Sequence, residues 1–147
     1  GEDDKYEKIT MNIKNKYNCS NVININIKNI HNFGNQIIRD ASPTDFIALI
    51  KNAKVIVSDS FHAILFSLIF NKEFYAIKRF EENENDNQNE RIKNILMKVK
   101  CEERFINSKQ EQLNEKTLDY KNINKRLEKH IEQSNNYINE IIEEVKK

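Results

Sequence analysis

The first part of the chain shows the hydrophobic period of a helix and then that of a strand. Between residues 3 and 17 the apolar positions recur at three- and four-residue steps, which places them on one face of an α-helix. Between residues 22 and 27 apolar residues alternate with asparagines, as in a half-buried strand. The stretch 28–41 has neither period, and we expect a long loop there.

The middle of the chain begins with a clear helix start. Ser42 can cap a helix, Pro43 fits the first helical position, and Asp45 places an acid in the first turn. These signals predict a helix that ends near Asn52. Apolar runs and helical periods then predict a buried strand over 55–57, a buried helix over 61–70, a strand over 74–77, a helix around 92–99 and a short strand at 105–106.

The predicted elements alternate between helix and strand, and the last is a long helix over 120–146 with a narrow apolar seam. Strands joined by helices pair in parallel through right-handed crossovers. We therefore predict one α/β domain over 1–147, a Rossmann-like parallel sheet of roughly three or four strands layered by helices. In such sheets the binding crevice lies beyond the carboxyl ends of the strands.

Composition and charge exclude several classes of protein. The 24 Lys and Arg residues nearly balance the 23 Asp and Glu residues, whereas a protein that coats nucleic acid needs a basic face. The longest apolar run, 61–70, is too short to cross a bilayer, and no signal peptide is visible. The two glycines form neither a GxGxxG nor a Walker loop, so NAD and ATP binding are not supported.

The turn after the apolar run 55–57 carries the most informative polar residues, with His62 at the start of the following helix. Backbone N–H groups in a first helical turn have no partner inside the helix and attract anions. The same helix terminus disfavours imidazolium, so we expect His62 to be neutral until an anion binds. The alternative is that Asp59 and Ser60 only cap the helix and that His62 is a half-buried structural residue.

Other residues capable of chemistry are expected to be structural or solvated. His31 lies in the long loop, and His130 lies off the seam of the last helix. Cys19 and Cys101 can form neither a disulfide framework nor a zinc site alone, and we expect unreactive thiols. The acidic run within 81–89 lacks EF-hand spacing and is interpreted as a surface loop.

Five short segments share their order and spacing with one known family. They are Ser42-Pro43-Thr44-Asp45-Phe46, Ile50-Lys51-Asn52-Ala53, Val55-Ile56-Val57-Ser58-Asp59-Ser60-Phe61-His62, Phe70-Asn71-Lys72-Glu73-Phe74-Tyr75 and Asn89-Glu90-Arg91-Ile92. This run, over residues 22–107, resembles the C-terminal half of the polysaccharide pyruvyl transferase family. Ala63 replaces the usual glycine after the histidine, and Glu73 replaces a common proline, to which we attach no functional weight.

The resemblance implies one Rossmann-like half of a two-domain enzyme like the B-type glycosyltransferases. It implies transfer of pyruvyl from phosphoenolpyruvate to a glycan hydroxyl as a ketal, in a bacterial cytoplasm, with no cofactor and no metal. His62 falls on the family's motif histidine and is the candidate catalytic residue. The candidate anion-binding residues are Ser60, Phe61, Arg91, which falls on the family's Arg-Ile position, and, more weakly, Arg79.

Two other functions stay open at this point. The same fold could use a nucleotide-sugar donor, or the chain could be a non-catalytic binding domain whose partner contacts the terminal helix. The chain opens on Gly1 rather than Met, as an excised fragment would. We expect the partner to be a missing N-terminal half, and we expect the isolated chain to be inactive.

Overall fold

Helices and parallel strands alternate in the computed structural model, which describes residues 2–25, 33–79, 87–107, 113–114, 116–133 and 140–144. The helices are α1 (Glu2–Lys16), α2 (Pro43–Asn52), α3 (Phe61–Ile69), α4 (Gln88–Lys98) and α5 (Tyr120–Gln133). The strands are β1 (Ile23–Ile25), β2 (Gln36–Ile38), β3 (Val55–Ser58), β4 (Glu73–Ile77) and β5 (Phe105–Ile106), the last preceded by a 3₁₀ turn, Glu102–Arg104. The predicted α/β class is confirmed.

The described strands form two parallel sheets rather than one. Strand β1 pairs with β2, and the larger sheet has the order β3-β4-β5. In the larger sheet Val55 lies opposite Glu73, and Ala76 lies opposite Phe105. The carboxyl ends of β3 and β4 therefore meet at one edge of this sheet, where the sequence predicts the binding crevice.

The long loop expected over 28–41 contains strand β2, so that part of the prediction is wrong. Gly34 precedes the strand with a φ of +108°, and a Cβ there would lie 3.2 Å from the backbone oxygen of Val22. The N–H of Asn35 donates to that oxygen at 2.9 Å, and the N–H of Val22 donates to the side chain of Asn35 at 2.8 Å. These bonds hold β2 beside β1, although three residues are too few to display a strand period.

Helix α2 begins where the sequence predicts, and its first turn explains why. The backbone N–H of Asp45 donates to Oγ of Ser42 at 3.1 Å, and the N–H of Ser42 donates to the Asp45 carboxylate at 3.2 Å. This reciprocal pair satisfies two backbone donors that the helix itself leaves unpaired.

Strand β4 is buried on both faces, and its alternating side chains divide the core in two. Phe74 and Ala76 join the larger cluster with helices α2 to α5, whereas Tyr75 and Ile77 face the opposite side. The second cluster consists of Ile9, Ile13, Tyr75, Ile77 and Ile106. Helix α1 therefore covers one face of the sheet and the later helices cover the other, as the predicted layering requires.

The terminal helix packs against its own domain. Ile123 and Leu127 are buried in the larger cluster, where α5 contacts α3 and α4. Residues 140–144 are helical, and the remainder of the predicted helix over 120–146 lies outside the described residues. Within the described ranges, none of the helices combines the length and apolar character needed to cross a bilayer.

A buried ion pair lies at the amino end of β4. The Arg104 side chain is fully buried and donates from Nη2 to Oε1 of Glu73 at 3.0 Å and from Nη1 to the backbone oxygen of Phe74 at 3.1 Å. The Glu73 carboxylate also accepts from the Tyr17 hydroxyl at 3.3 Å and from the Leu118 N–H at 3.1 Å. Glu73 thus links α1, the sheet and the segment before α5.

Candidate functional site

Three segments meet at the carboxyl ends of β3 and β4. They are the turn 58–60 that leads into α3, the residues just after β4, and the first turn of α4. Contacts between these segments bring Phe61, His62, Arg79 and Arg91 to the same end of the sheet. The residues that the sequence singles out for donor binding therefore share one region of the fold.

The backbone amides of the turn already have acceptors. The N–H of Ser60 donates to Oγ of Ser58 at 3.0 Å, and the N–H of Phe61 donates to Oε1 of Gln88 at 2.8 Å. The expectation that these amides are unoccupied is wrong for both residues. An anion could bind Phe61 N–H only by displacing the Gln88 side chain, so the anion-binding role of Ser60 and Phe61 stays a prediction.

His62 lies half-buried in the first turn of α3, packed between aromatic rings. Its ring centroid is 5.7 Å from that of Phe61 and 6.4 Å from that of Phe66. Burial, and then the charge of Arg91, lower the pKa of His62 below its ordinary value. This direction agrees with the neutral imidazole expected for His62, and burial and the neighbouring guanidinium contribute to it.

Arg91 stacks on the same aromatic ring from the first turn of α4. Its guanidinium carbon lies 4.1 Å from the centroid of Phe61, and no carboxylate among the described residues pairs with it. Within the part of the chain that the structure describes, the guanidinium therefore keeps its hydrogen-bond donors for an outside anion. Such an anion would offset the charge that lowers the pKa of His62 and would favour the proton-donating imidazolium.

Arg79, in contrast, is already paired. Its Nη2 donates to Oδ1 of Asp59 at 3.3 Å, and its Nε lies 3.3 Å from Oδ2. The capping interpretation of this turn is not supported, because Ser60 makes no side-chain capping bond and Asp59 binds Arg79 instead.

Two residues at this end of the sheet were missed in the sequence. The Gln88 side chain accepts from the Phe61 backbone N–H. The Asn89 side chain accepts from the backbone N–H of Arg79 and donates to its backbone oxygen, each at 2.9 Å. The signal for Asn89 is its place in the segment Asn89-Glu90-Arg91-Ile92. Gln88 carries no such signal, because its partner is 27 residues away in the chain.

The remaining candidate residues do not join this site. His130 is half-buried on α5, and burial and then the charge of Lys98 lower its pKa. Burial, and then the charge of Glu103, raise the pKa of the buried Cys101 thiol to about 12.

His31 and most of the acidic run fall in segments 26–32 and 80–86, outside the described residues. Among the described residues no cluster of three or more metal-ligating side chains occurs.

Comparison with models of known protein families gives a match to part of the chain. A family model for polysaccharide pyruvyl transferase matches residues 2–79, just over half of the 147 residues. The match runs from α1 to just past β4, and it includes His62 and Arg79 but not Arg91. It overlaps the expected span of 22–107 only over 22–79. No curated protein and no solved structure matches the chain significantly.

Proposed function

Because this chain belongs to the polysaccharide pyruvyl transferase family, we propose that it takes part in transferring pyruvyl from phosphoenolpyruvate to a glycan hydroxyl, with formation of a ketal. The observation that carries the choice of donor is that His62, whose pKa is lowered, and Arg91, which has no carboxylate partner among the described residues, lie around one aromatic ring. His62 is the proposed proton carrier, and Arg91 is the proposed anion ligand.

The donor has the charges that this arrangement needs. Phosphoenolpyruvate carries a phosphate and a carboxylate, and Arg91 can hold either one with two hydrogen bonds. Binding of the anion offsets the charge of Arg91 and raises the pKa of His62, which favours uptake of a proton when the donor is bound. The proposed site therefore acquires its acid by binding its substrate.

The proposed reaction begins with proton transfer. His62 gives its proton to the methylene carbon, and the adjacent carbon becomes cation-like. A glycan hydroxyl adds to that carbon and loses its proton to the neutral imidazole. The phosphate leaves with the electrons of its C–O bond. A second hydroxyl of the same glycan then adds to that carbon to close the ketal, and its proton passes to the departed phosphate. Arg91 offsets the charge that develops on the departing phosphate.

We also propose a larger active cleft in a bacterial, cytoplasmic enzyme. In this proposal a second Rossmann-like half, arranged as in B-type glycosyltransferases, faces the carboxyl ends of β3 and β4 and binds the glycan. The chain alone would bind the donor without turnover. A role for the terminal helix as a free docking surface is not favoured, since Ile123 and Leu127 are already buried within the domain.

The donor can be tested by calorimetric titration of the chain with phosphoenolpyruvate and, separately, with a uridine diphosphate sugar. We expect binding of phosphoenolpyruvate and its loss in Arg91→Gln. Binding of the nucleotide sugar alone would reject the pyruvyl proposal.

The catalytic role is tested by turnover in an intact enzyme that contains this chain. We expect His62→Ala to lower turnover by about tenfold to a thousandfold. His130→Ala is the matched control, because it removes a half-buried histidine on α5, and its turnover should equal that of the wild type. Unchanged turnover in His62→Ala would remove this residue from the mechanism.

A further inference from the structure

A carboxylate lies very near the proposed donor site. Asp59 precedes α3 by two residues and His62 by three, in the turn at the carboxyl end of β3. Its charge has the same sign as both ionised groups of phosphoenolpyruvate. Left uncompensated, it would repel the donor, because charges in a partly solvated site interact across several ångströms.

Arg79 meets that carboxylate with two nitrogen atoms. Nη2 and Nε each lie 3.3 Å from a different carboxylate oxygen. The side chains of Arg79 and Asp59 are only 21% and 31% exposed, so water and salt screen the pair less than they screen an open surface pair. The pair thus cancels the charge of Asp59 locally.

Asn89 fixes the backbone from which Arg79 projects. Its side chain makes reciprocal hydrogen bonds of 2.9 Å with the N–H and the oxygen of Arg79. Asn89 lies in the same helical turn as Arg91, whose guanidinium stacks on Phe61. One turn of α4 therefore holds Arg79 in its ion pair and presents Arg91, which has no carboxylate partner among the described residues.

We infer that Arg79 is a positioning residue that neutralises Asp59 and does not bind the donor anion, and that Asn89 holds Arg79 in that position. This inference rests on the proposed function, since it assigns the charge balance of the same site. It divides the two candidate arginines by role: Arg91 binds the anion, and Arg79 removes a repulsion.

Four proteins test the inference: wild type, Arg79→Gln, Asp59→Asn and the double variant. Affinity for phosphoenolpyruvate and for inorganic phosphate is measured by calorimetry. Arg79→Gln should weaken both by about three- to tenfold, because it exposes one negative charge to the anion. The affinities of the double variant for both anions should return to within about twofold of those of wild type. If Arg79 instead binds the anion, the double variant stays as weak as Arg79→Gln, and the inference is overturned.

Two further variants control for charge and folding. Lys93→Gln removes one positive charge from an exposed position on α4, and it should leave both affinities within about twofold of wild type. Arg79→Lys keeps the charge beside Asp59 and should bind several-fold more tightly than Arg79→Gln, even if the glutamine variant is less stable. Equal weakening by both Arg79 variants would count against charge compensation.

The outcomes separate this inference from the proposed function. If wild type binds neither anion, the proposed function fails and this role of Arg79 fails with it. If wild type binds the anions and the double variant does not recover wild-type affinity, only the inference about Arg79 fails. Asn89→Ala should weaken anion binding in the protein that retains Asp59. It should not weaken anion binding in the Asp59→Asn variant. Equal weakening in both backgrounds would exclude Asn89 from this role.

Discussion

Glu73→Ala tests how much of the domain's stability depends on one buried ion pair. The substitution removes the carboxylate that accepts from Nη2 of Arg104 at 3.0 Å and from the Leu118 N–H at 3.1 Å. Arg104 remains with no exposed surface, so its charge cannot reach solvent without rearrangement. We therefore expect a loss far above that of an ordinary surface substitution.

The expected magnitude follows from the exposure of the two partners. Removing one partner of a buried pair costs about 3–5 kcal/mol, because the other charge stays buried. Glu73 is 18% exposed, and some water can reach Arg104 in the variant, which places the cost near the lower end, at about 3 kcal/mol. For a domain of this size that loss lowers Tm by roughly 6–12 °C.

The assay is urea unfolding followed by circular dichroism, with Glu128→Ala as the matched control. Glu128 is exposed on α5, so its loss should change the free energy of unfolding by less than about 0.5 kcal/mol. Arg104→Met added to Glu73→Ala removes the orphaned charge and should restore at least half of the loss. A loss below about 1 kcal/mol in Glu73→Ala, or no recovery in the double variant, would show that the Glu73–Arg104 pair does not govern this stability.

Three further predictions concern single residues. The folded pKa of His62 lies below the unfolded value of about 6.5, so the unfolded chain binds more protons below that pH. The free energy of unfolding should therefore fall more steeply for wild type than for His62→Gln between about pH 7 and about pH 5; parallel profiles would contradict this. Titration with a thiol reagent at about pH 8 should leave Cys101 unmodified until the domain unfolds, and rapid reaction of this thiol in the folded protein would contradict its raised pKa. Ser42→Ala should destabilise the domain by about 1 kcal/mol in urea unfolding, and no change would show that the cap of α2 is not needed.

Local patterns in the sequence were sufficient for most elements of the fold. The cap at Ser42, the apolar run of β3 and the helical period of α3 each lie within a few residues, so a single window shows them. Strand β2 was missed because its three residues are held by Gly34 and by bonds to Val22. Its position depends on a distant partner rather than on its own composition.

The same limit applies to the candidate site. His62 and Arg91 lie in recognisable segments, and the structure brings them to one edge of the sheet. The partners of these segments are not readable from the sequence, because Gln88 reaches Phe61 across 27 residues and Glu73 reaches Arg104 across 31. Glu73 was given no functional weight, and it proves to be the counter-charge of a buried arginine.

The most direct test of the central claim is the pKa of His62, measured by NMR on the chain with and without saturating phosphoenolpyruvate. We predict a His62 pKa below about 6.5 in the free protein and a rise when the donor binds beside Arg91, with no change in the pKa of His130. A His62 pKa that does not respond to saturating donor, or that rises equally at His130, would contradict it.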